Sequence, residues 1–177
     1  MFPTWVNIVE PAPRREIHKA NLMSQSSTEF ICQRRADCAL GEAVQRLADE
    51  FAMLDDWEER YQFLIELGDE LPEMPEQFKR PDFEVEGCMS TVWLVVHPST
   101  DDPPVMTILA DSDAAIVRGL IAVLLEILNG RTPEEILGCD LHCVFDRLDL
   151  REHLSVSRRN GLQAMINRVH VLAEQYA

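Results

Sequence analysis

The chain has 177 residues, of which 46% are hydrophobic and 27% charged, and this is the composition of an ordinary globular protein with one sizeable core. Its 31 acidic residues outnumber 16 basic ones and give a net charge of -15. Because so acidic a surface repels phosphate backbones and acidic lipid, we expect neither a nucleic acid partner nor a membrane partner, but a protein with a basic patch.

An N-terminal extension precedes the predicted domain. Residues 1–39 contain three prolines, a Ser-Gln-Ser-Ser stretch and no sustained hydrophobic periodicity, which predicts a poorly ordered segment. Met23 is a second candidate for the start of translation. We expect the folded domain to span residues 40–177, where eleven basic residues stand against twenty-seven acidic ones.

Five cysteines stand at positions 32, 38, 88, 139 and 143. An odd number, in a chain without a recognisable secretory signal, is typical of reduced thiols in the cytoplasm. We interpret Cys32 and Cys38, which lie in the extension, as incidental thiols. The longest apolar stretch, residues 114–128, is interrupted by Arg118 and Glu126 and is too short to cross a bilayer, so we expect a core helix.

Two amphipathic helices open the predicted domain. The apolar residues of the first recur at intervals of three and four up to about Leu54, namely Val44, Leu47, Ala48 and Phe51. Asp55 or Asp56 is placed to cap the second helix. The apolar face of that helix consists of Trp57, Tyr61, Leu64 and Ile65. A glycine and two prolines, at positions 68, 72 and 75, end it, and a charged connector continues to residue 84.

Two short strands follow the connector. Residues 91–96 are rich in β-branched and aromatic side chains and predict a buried strand, and residues 105–110 predict a second one. The loop between them, residues 97–104, contains three prolines, which favours a turn and therefore an antiparallel hairpin.

The rest of the chain is predicted to be largely helical. Asp111-Ser112-Asp113 offers a cap for a long buried helix that ends at Leu128, and Thr132 with Glu135 forms a capping box for a short helix. The final helix carries a long apolar stripe, which consists of Leu162, Met165, Ile166, Val169, Leu172, Ala173 and Tyr176. Helices around a small antiparallel sheet of about three strands give an α+β fold.

Cys88 is the cysteine best placed for chemistry. It follows Gly87, which can take the positive φ of a tight turn, and it lies just before the predicted strand 91–96. A thiol on a loop that a rigid strand supports is accessible and fixed in position. The alternative interpretation is that Cys88 is a small core residue, as most single cysteines are.

A second group, Cys139-Asp-Leu-His-Cys143, places two thiols and an imidazole within five residues. Its spacing matches no usual zinc motif, so we interpret the two cysteines as structural residues that share a helix face, and we expect no metal site and no cofactor. The sequence contains no Gly-rich nucleotide loop and no Ser-His-Asp hydrolase signature. The remaining candidate polar groups are Asp113, Arg158 and Arg159, at predicted helix starts.

Several blocks of the sequence, in order and with consistent spacing, resemble the SufE family of sulfur-acceptor proteins, which activate cysteine desulfurases. They cover about residues 45–176 and are Trp57-Glu-Glu-Arg-Tyr61, Glu66-Leu-Gly-Asp-Glu-Leu-Pro72, Gly87-Cys88 with Ser90 and Val92-Trp93, Asp111-Ser-Asp-Ala-Ala-Ile-Val-Arg-Gly-Leu120, Thr132-Pro133, His153-Leu with Ser157-Arg158, and Gly161-Leu. The resemblance implies a SufE/IscU-like fold.

By this resemblance, Cys88 receives sulfur as a persulfide from the active-site cysteine of a pyridoxal-phosphate (PLP)-dependent cysteine desulfurase. The resemblance also implies that the protein stimulates that enzyme and relays the sulfur to an iron-sulfur scaffold complex. Gly87, Asp113 and Arg158 match supporting positions around the cysteine loop. The protein is then an accessory carrier rather than a stand-alone enzyme, and we expect it to be a cytoplasmic monomer.

Met89, Arg118 and Val156 depart from the family, which commonly has glutamine or glutamate, lysine and proline at these positions. The first departure is expected to affect partner choice or the pKa of Cys88. Since an ordinary thiol of pKa about 8.5 is only a few per cent ionised at pH 7, we expect the free protein to keep Cys88 sheltered and unreactive until a partner docks.

Two other functions stay open at this point. An iron-sulfur scaffold needs several cysteines or histidines that converge on the cluster, and only Cys88 has a suitable setting. A redox sensor would form a sulfenic acid on Cys88 and resolve it with Cys139 or Cys143.

Overall fold

The computed structural model describes residues 39–177, with side chains from residue 41 onward. The predicted extension, with Met23, Cys32 and Cys38, lies outside the described residues. Two 3-10 turns, Glu76–Phe78 and Pro81–Phe83, connect the second helix to the first strand. The helices and strands are, in chain order, α1 (Ala39–Ala52), α2 (Trp57–Asp69), β1 (Val92–Pro98), β2 (Met106–Ser112), α3 (Ala115–Leu128), α4 (Pro133–Leu137), α5 (Leu141–Arg147) and α6 (Val156–Ala173).

The two strands form the predicted antiparallel hairpin, and helices surround it, so the α+β class is confirmed. Pairing runs from Val92 opposite Ser112 to Pro98 opposite Met106, and each strand extends two residues beyond its predicted end. Within residues 39–177 the sheet has two strands, where about three were expected. The proline-bearing connector pairs with β1 through one isolated β-bridge, between Glu84 and Trp93, and does not form a third strand.

Helix α3 is the centre of the core. It is buried on almost every side, as its apolar sequence predicts, and the side chains of Leu120, Ile121, Val123, Ile127 and Leu128 are at most 1% exposed. The hairpin covers it with Val92, Leu94, Ile108 and Ala110, which alternate along the two strands. Among residues 39–177 no helix combines the length and the apolar character that crossing a membrane requires.

The connector covers the opposite face of the hairpin. Met74 and Phe78 are buried there against Val95 and Leu109, and Trp93 packs beside them. The sequence predicted only a charged connection here, without a packing role. It packs instead because its two 3-10 turns aim their few apolar side chains at one sheet face.

Helices α2 and α3 cross at very short range. A Cβ on Gly68 would lie 2.7 Å from the backbone nitrogen of Gly119, and a Cβ on Gly119 would collide with the carbonyl group of Leu64. Arg118 ties the same crossing by donating from Nε and Nη2 to the Gly68 carbonyl at 3.1 and 3.0 Å. Its Nη1 also pairs at 2.8 Å with Asp111, whose carboxylate is buried.

Two of the predicted helix caps are confirmed. Asp56 caps α2, and Thr132 and Glu135 form the predicted capping box of α4. The predicted cap at residues 111–113 is wrong. Strand β2 continues through Ser112, and α3 begins after Ala114 without a side-chain cap from that residue. The Asp113 carboxylate accepts a hydrogen bond from Thr91 N instead.

Replacing Gly119 by alanine is expected to lower the free energy of unfolding by at least about 1–3 kcal/mol, because the new methyl group must push α2 away from α3. Urea denaturation of both proteins measures the change. Gly130→Ala is the control, since Gly130 has a positive-φ backbone (φ 75°) but open space around a Cβ, so only backbone strain of about 1 kcal/mol is expected. Equal losses in the two variants would contradict the steric explanation.

Candidate functional site

Cys88 sits directly after a tight turn at Glu86 and Gly87, just before β1. Gly87 has φ 96°, the left-handed conformation that glycine adopts without strain, as the sequence predicted. A Cβ at this glycine would lie 3.5 Å from the Cβ of Ala164 on α6. The turn therefore packs against the last helix and carries the thiol towards it.

The thiol of Cys88 points at the backbone of α6. Its Sγ donates a weak hydrogen bond to the Gly161 carbonyl, at 3.5 Å, and the side chain is half-buried. A Cβ on Gly161 would lie 3.5 Å from this sulfur. Because Gly161 has no side chain, the Cys88 thiol can pack directly against the backbone of α6.

A cavity of about 220 Å³ opens beside the thiol. Its walls are apolar and come from the middle of the molecule, namely Val117, Leu120, Leu162 and Met165. Its rim is formed by Met89, Ser90, Ser157 and Arg158. Cys88 therefore borders a pocket that is apolar inside and polar at the edge, and that is several times the volume of a water molecule.

Burial raises the pKa of the Cys88 thiol above its ordinary value. Partial removal from water disfavours the thiolate, and the thiolate is the nucleophilic form. Glu84 and Glu86 are exposed near the turn. In this conformation Cys88 is therefore protonated at neutral pH and weakly reactive.

The loop that carries Cys88 is anchored to the start of α3. The Asp113 carboxylate accepts from Thr91 N at 3.0 Å, and Ser112 Oγ donates to the Thr91 carbonyl at 2.8 Å. The backbone N–H and C=O groups of Thr91, three residues after Cys88, are thus both fixed by hydrogen bonds. Asp113, one of the predicted site residues, supports the loop through Thr91 and is not among the residues that line the cavity.

The two arginines at the start of α6, Arg158 and Arg159, have different surroundings. Arg158 lies at the rim of the Cys88 cavity, as a site residue would. Arg159 donates to the carbonyls of Arg151 and Leu154 and so fixes the preceding loop. Of the predicted site residues, Cys88 and Arg158 therefore line the same cavity, and Gly87 directly precedes Cys88 in the turn.

Sequence reasoning missed the cavity walls. Leu162 and Met165 were predicted as part of an apolar stripe, which is buried at five of its seven positions; the prediction is wrong for Tyr176, which lies beyond the end of α6 and is exposed. Leu162 and Met165 also line the pocket. One signal was present in Gly161, because a glycine inside a helix costs stability and often marks a close approach. Its partner, the sulfur of Cys88, is 73 residues away in the chain.

The Cys139–Cys143 segment differs from its interpretation. The two cysteines do not share a helix, because Asp140 starts α5 between them by accepting from Cys143 N at 3.1 Å. Cys139 is buried, and Cys143 is disulfide-bonded, so the prediction of reduced thiols is wrong for Cys143. Within residues 39–177, no three His, Cys, Asp or Glu side chains are arranged to hold a metal ion.

The chain is similar to known proteins over most of its described length. The family model of SufE, described as an Fe-S metabolism associated domain, matches residues 45–173. An uncharacterized SufE-like protein of Rhizobium meliloti (strain 1021) is 46% identical over 133 residues, which are 75% of this chain and 95% of the relative. An uncharacterized SufE-like protein of Rhizobium etli is 44% identical over 128 residues, or 72% and 86% of the two chains.

A solved structure supports the fold. The solution structure of a hypothetical protein from Thermus thermophilus aligns with a TM-score of 0.61, over 76% of this chain and 95% of that chain, at 21% sequence identity. At this level of identity the likeness concerns the fold alone.

Cys88 is expected to alkylate with a pH midpoint above that of an ordinary thiol, about 8.5, because burial favours its protonated form. Iodoacetamide labelling across pH, read on the Cys88 peptide by mass spectrometry, measures the midpoint, and the same protein in urea supplies the ordinary value. Since the folded-state pKa is the higher one, the thiol's contribution to stability is complete below the unfolded pKa and is lost as pH rises through the folded pKa. Identical midpoints in the folded and unfolded protein would contradict the effect of burial.

Proposed function

The chain belongs to the SufE family, and from that membership we propose that it is a sulfur-acceptor protein. It takes persulfide sulfur onto Cys88 from a PLP-dependent cysteine desulfurase, stimulates that enzyme, and relays the sulfur to an iron-sulfur scaffold complex. The observation that carries the proposal is the position of Cys88, on a glycine turn at the edge of an apolar cavity. Gly87 directly precedes Cys88 in the chain, Arg158 lines the same cavity as the thiol, and Asp113 supports the loop through Thr91.

Sulfur transfer of this kind resembles thiol-disulfide exchange. The Cys88 thiolate attacks the terminal sulfur of the donor's persulfide. A new sulfur-sulfur bond forms on Cys88 while the donor's sulfur-sulfur bond breaks, and the electron pair of that bond leaves on the donor cysteine as its thiolate. Nothing is oxidised or reduced overall, so the protein needs no redox cofactor for this step.

The raised pKa of Cys88 fits a carrier that is unreactive until it docks. Burial keeps the thiol protonated in the free protein, which limits its reaction with unrelated disulfides and oxidants. Contact with the desulfurase would draw the thiol out of its half-buried position and lower the pKa by restoring polar surroundings. Arg158 at the cavity rim supplies a positive charge that favours the thiolate once it forms.

This role makes the protein an accessory carrier rather than a stand-alone enzyme, and we propose that it acts as a monomer in the cytoplasm. The proposal also assigns a purpose to the net charge of -15. A protein that must find one enzyme repeatedly gains from long-range attraction between opposite surfaces.

Incubation with the candidate desulfurase and free cysteine, without reductant, is expected to add one sulfur atom to the Cys88 peptide, a gain of about 32 Da in persulfide chemistry. Cys88→Ser should bind the desulfurase and fail to stimulate it, because a serine hydroxyl is neither ionised at neutral pH nor able to carry sulfane sulfur. Cys139→Ser, at a buried position away from the cavity lining, is the matched control and should stimulate normally when folded. Full stimulation by Cys88→Ser would mean that activation is conformational, and the covalent proposal would be abandoned.

Binding to the desulfurase is expected to weaken steadily as salt rises from about 0.01 M to 1 M, because the screening length falls from about 30 Å to 3 Å over this range. Titration calorimetry at several salt concentrations measures the trend. An affinity that does not change with salt would show that the acidic surface plays no part in recognition.

A further inference from the structure

Three sulfur-bearing side chains line the Cys88 cavity. Besides the thiol itself they are Met89, in the cysteine loop, and Met165, on α6. The whole chain has seven methionines, and two of them meet at one cavity of about 220 Å³ that also holds a thiol. We call Cys88, Met89 and Met165 the sulfur triad.

Helix geometry directs the thioether of Met165 towards the thiol of Cys88. The Cys88 sulfur lies 3.5 Å from the Gly161 carbonyl oxygen on α6. Met165 follows Gly161 by about one helical turn and therefore lies on the same face of the helix. Long side chains on a helix lean back towards its N-terminus, which is the direction of Gly161. The sulfurs of Cys88 and Met165 therefore face the same part of the cavity.

The two methionines differ in how firmly they are held. Met165 is 0% exposed and belongs to the main hydrophobic core, so packing fixes its position. Met89 directly follows Cys88 and is 87% exposed, so its side chain can rotate quickly between rotamers. The triad thus combines one fixed thioether with one that can close over the cavity from outside.

The ligands that the cavity offers to a metal ion are soft. Thiolate and thioether sulfurs favour Cu(I), whereas imidazole suits zinc and carboxylate suits magnesium and calcium. The polar side chains that line the cavity are those of Ser90, Ser157 and Arg158. No imidazole or carboxylate from residues 39–177 lines it. The composition of the cavity therefore favours a soft metal ion over a hard one.

The charges at the cavity favour a monovalent ion. A thiolate on Cys88 and a Cu(I) ion form a neutral pair, which walls as apolar as Val117, Leu120 and Leu162 can enclose without burying a net charge. A divalent ion would leave one positive charge in excess. That charge would lie in the same cavity as Arg158, where like charges repel each other strongly because little water screens them.

We propose that the sulfur triad is a binding site for Cu(I). Cys88 and Met165 hold the ion inside the cavity, and Met89 closes over it as the third ligand. On binding, the copper ion replaces the proton of the Cys88 thiol, and this proton leaves to the solvent. Copper remains Cu(I), so no electron is transferred and no oxidant or reductant takes part.

Copper binding goes beyond the proposed function and competes with it. The electron pair with which the Cys88 thiolate attacks a persulfide is the pair that it donates to the copper ion. A protein loaded with Cu(I) therefore accepts no sulfur on Cys88, and removal of the ion by a chelator restores the thiol. Binding of Cu(I) itself requires only the three sulfur-bearing residues and does not depend on the sulfur-acceptor role.

The test measures how Cu(I), buffered by bicinchoninate without oxygen, protects Cys88 of the full chain from iodoacetamide. Mass spectrometry of the Cys88 peptide reports this thiol separately from the other four cysteines. Met165→Leu keeps the volume and removes the thioether, so the Cu(I) concentration for half-protection is expected to rise about tenfold. Met74→Leu is the matched control and should match the unaltered protein, because Met74 is also 0% exposed but packs under the connector.

Met89→Leu should also raise the concentration for half-protection, whereas Met53→Leu, at a 75% exposed position away from the cavity lining, should not. Protection in each protein is expressed relative to its own alkylation rate without copper, which removes any effect of the substitution on the thiol itself. Zn(II) at the same concentrations should protect Cys88 far less than Cu(I). Equal half-protection of the unaltered protein and Met165→Leu, or equal protection by the two metals, would overturn the proposal. No desulfurase takes part, so these results and the sulfur-acceptor role stand or fail separately.

Discussion

The burial of α3 on almost every side is the constraint on which the arrangement of this protein depends. A helix that is apolar on nearly every side must be covered on nearly every side, and α1, α2 and the hairpin supply that cover by packing against it. The crossing at Gly68 and Gly119 brings α2 to backbone contact with it. Near the N-terminal end of the helix the cover is incomplete, and Val117 and Leu120 there form walls of the cavity beside Cys88. The candidate site is thus a gap in the packing of the core.

The proposed function makes two opposing demands on the thiol, and the cavity offers a way to meet both. A persulfide carrier must be nucleophilic at the moment of transfer, yet a permanently ionised thiol would react with many other molecules. Half-burial against α6 raises the pKa of Cys88 and so suppresses reaction in the free protein. Ser112 and Asp113 hold the backbone of Thr91 by hydrogen bonds. Movement of the loop is therefore limited to the few residues that precede Thr91, and Cys88 is one of them.

Features that depend on neighbouring residues could be predicted from the sequence, and features that depend on distant ones could not. The positive φ of Gly87, the Asp56 cap and the Thr132 capping box were all correct, because each is decided within four residues. Residues 111–113 look like a helix cap, but Asp111 and Ser112 pair with β1, about twenty residues earlier in the chain, and so belong to the sheet. Cys88 could be chosen from its turn and strand, whereas its contact with Gly161 depends on how α6 packs.

The hydrogen bond between Cys88 and Gly161 has a consequence for the proposed sulfur transfer. The proton that Cys88 Sγ donates to the Gly161 carbonyl exists only while the sulfur is a thiol. If Cys88 accepts sulfur as proposed, its Sγ is then bonded on both sides and has no hydrogen to donate, so this hydrogen bond would be present in the free thiol and lost in the persulfide. The added atom, about 2.05 Å further out, then finds room in the adjoining cavity. A single backbone oxygen would in this way distinguish the vacant carrier from the charged one.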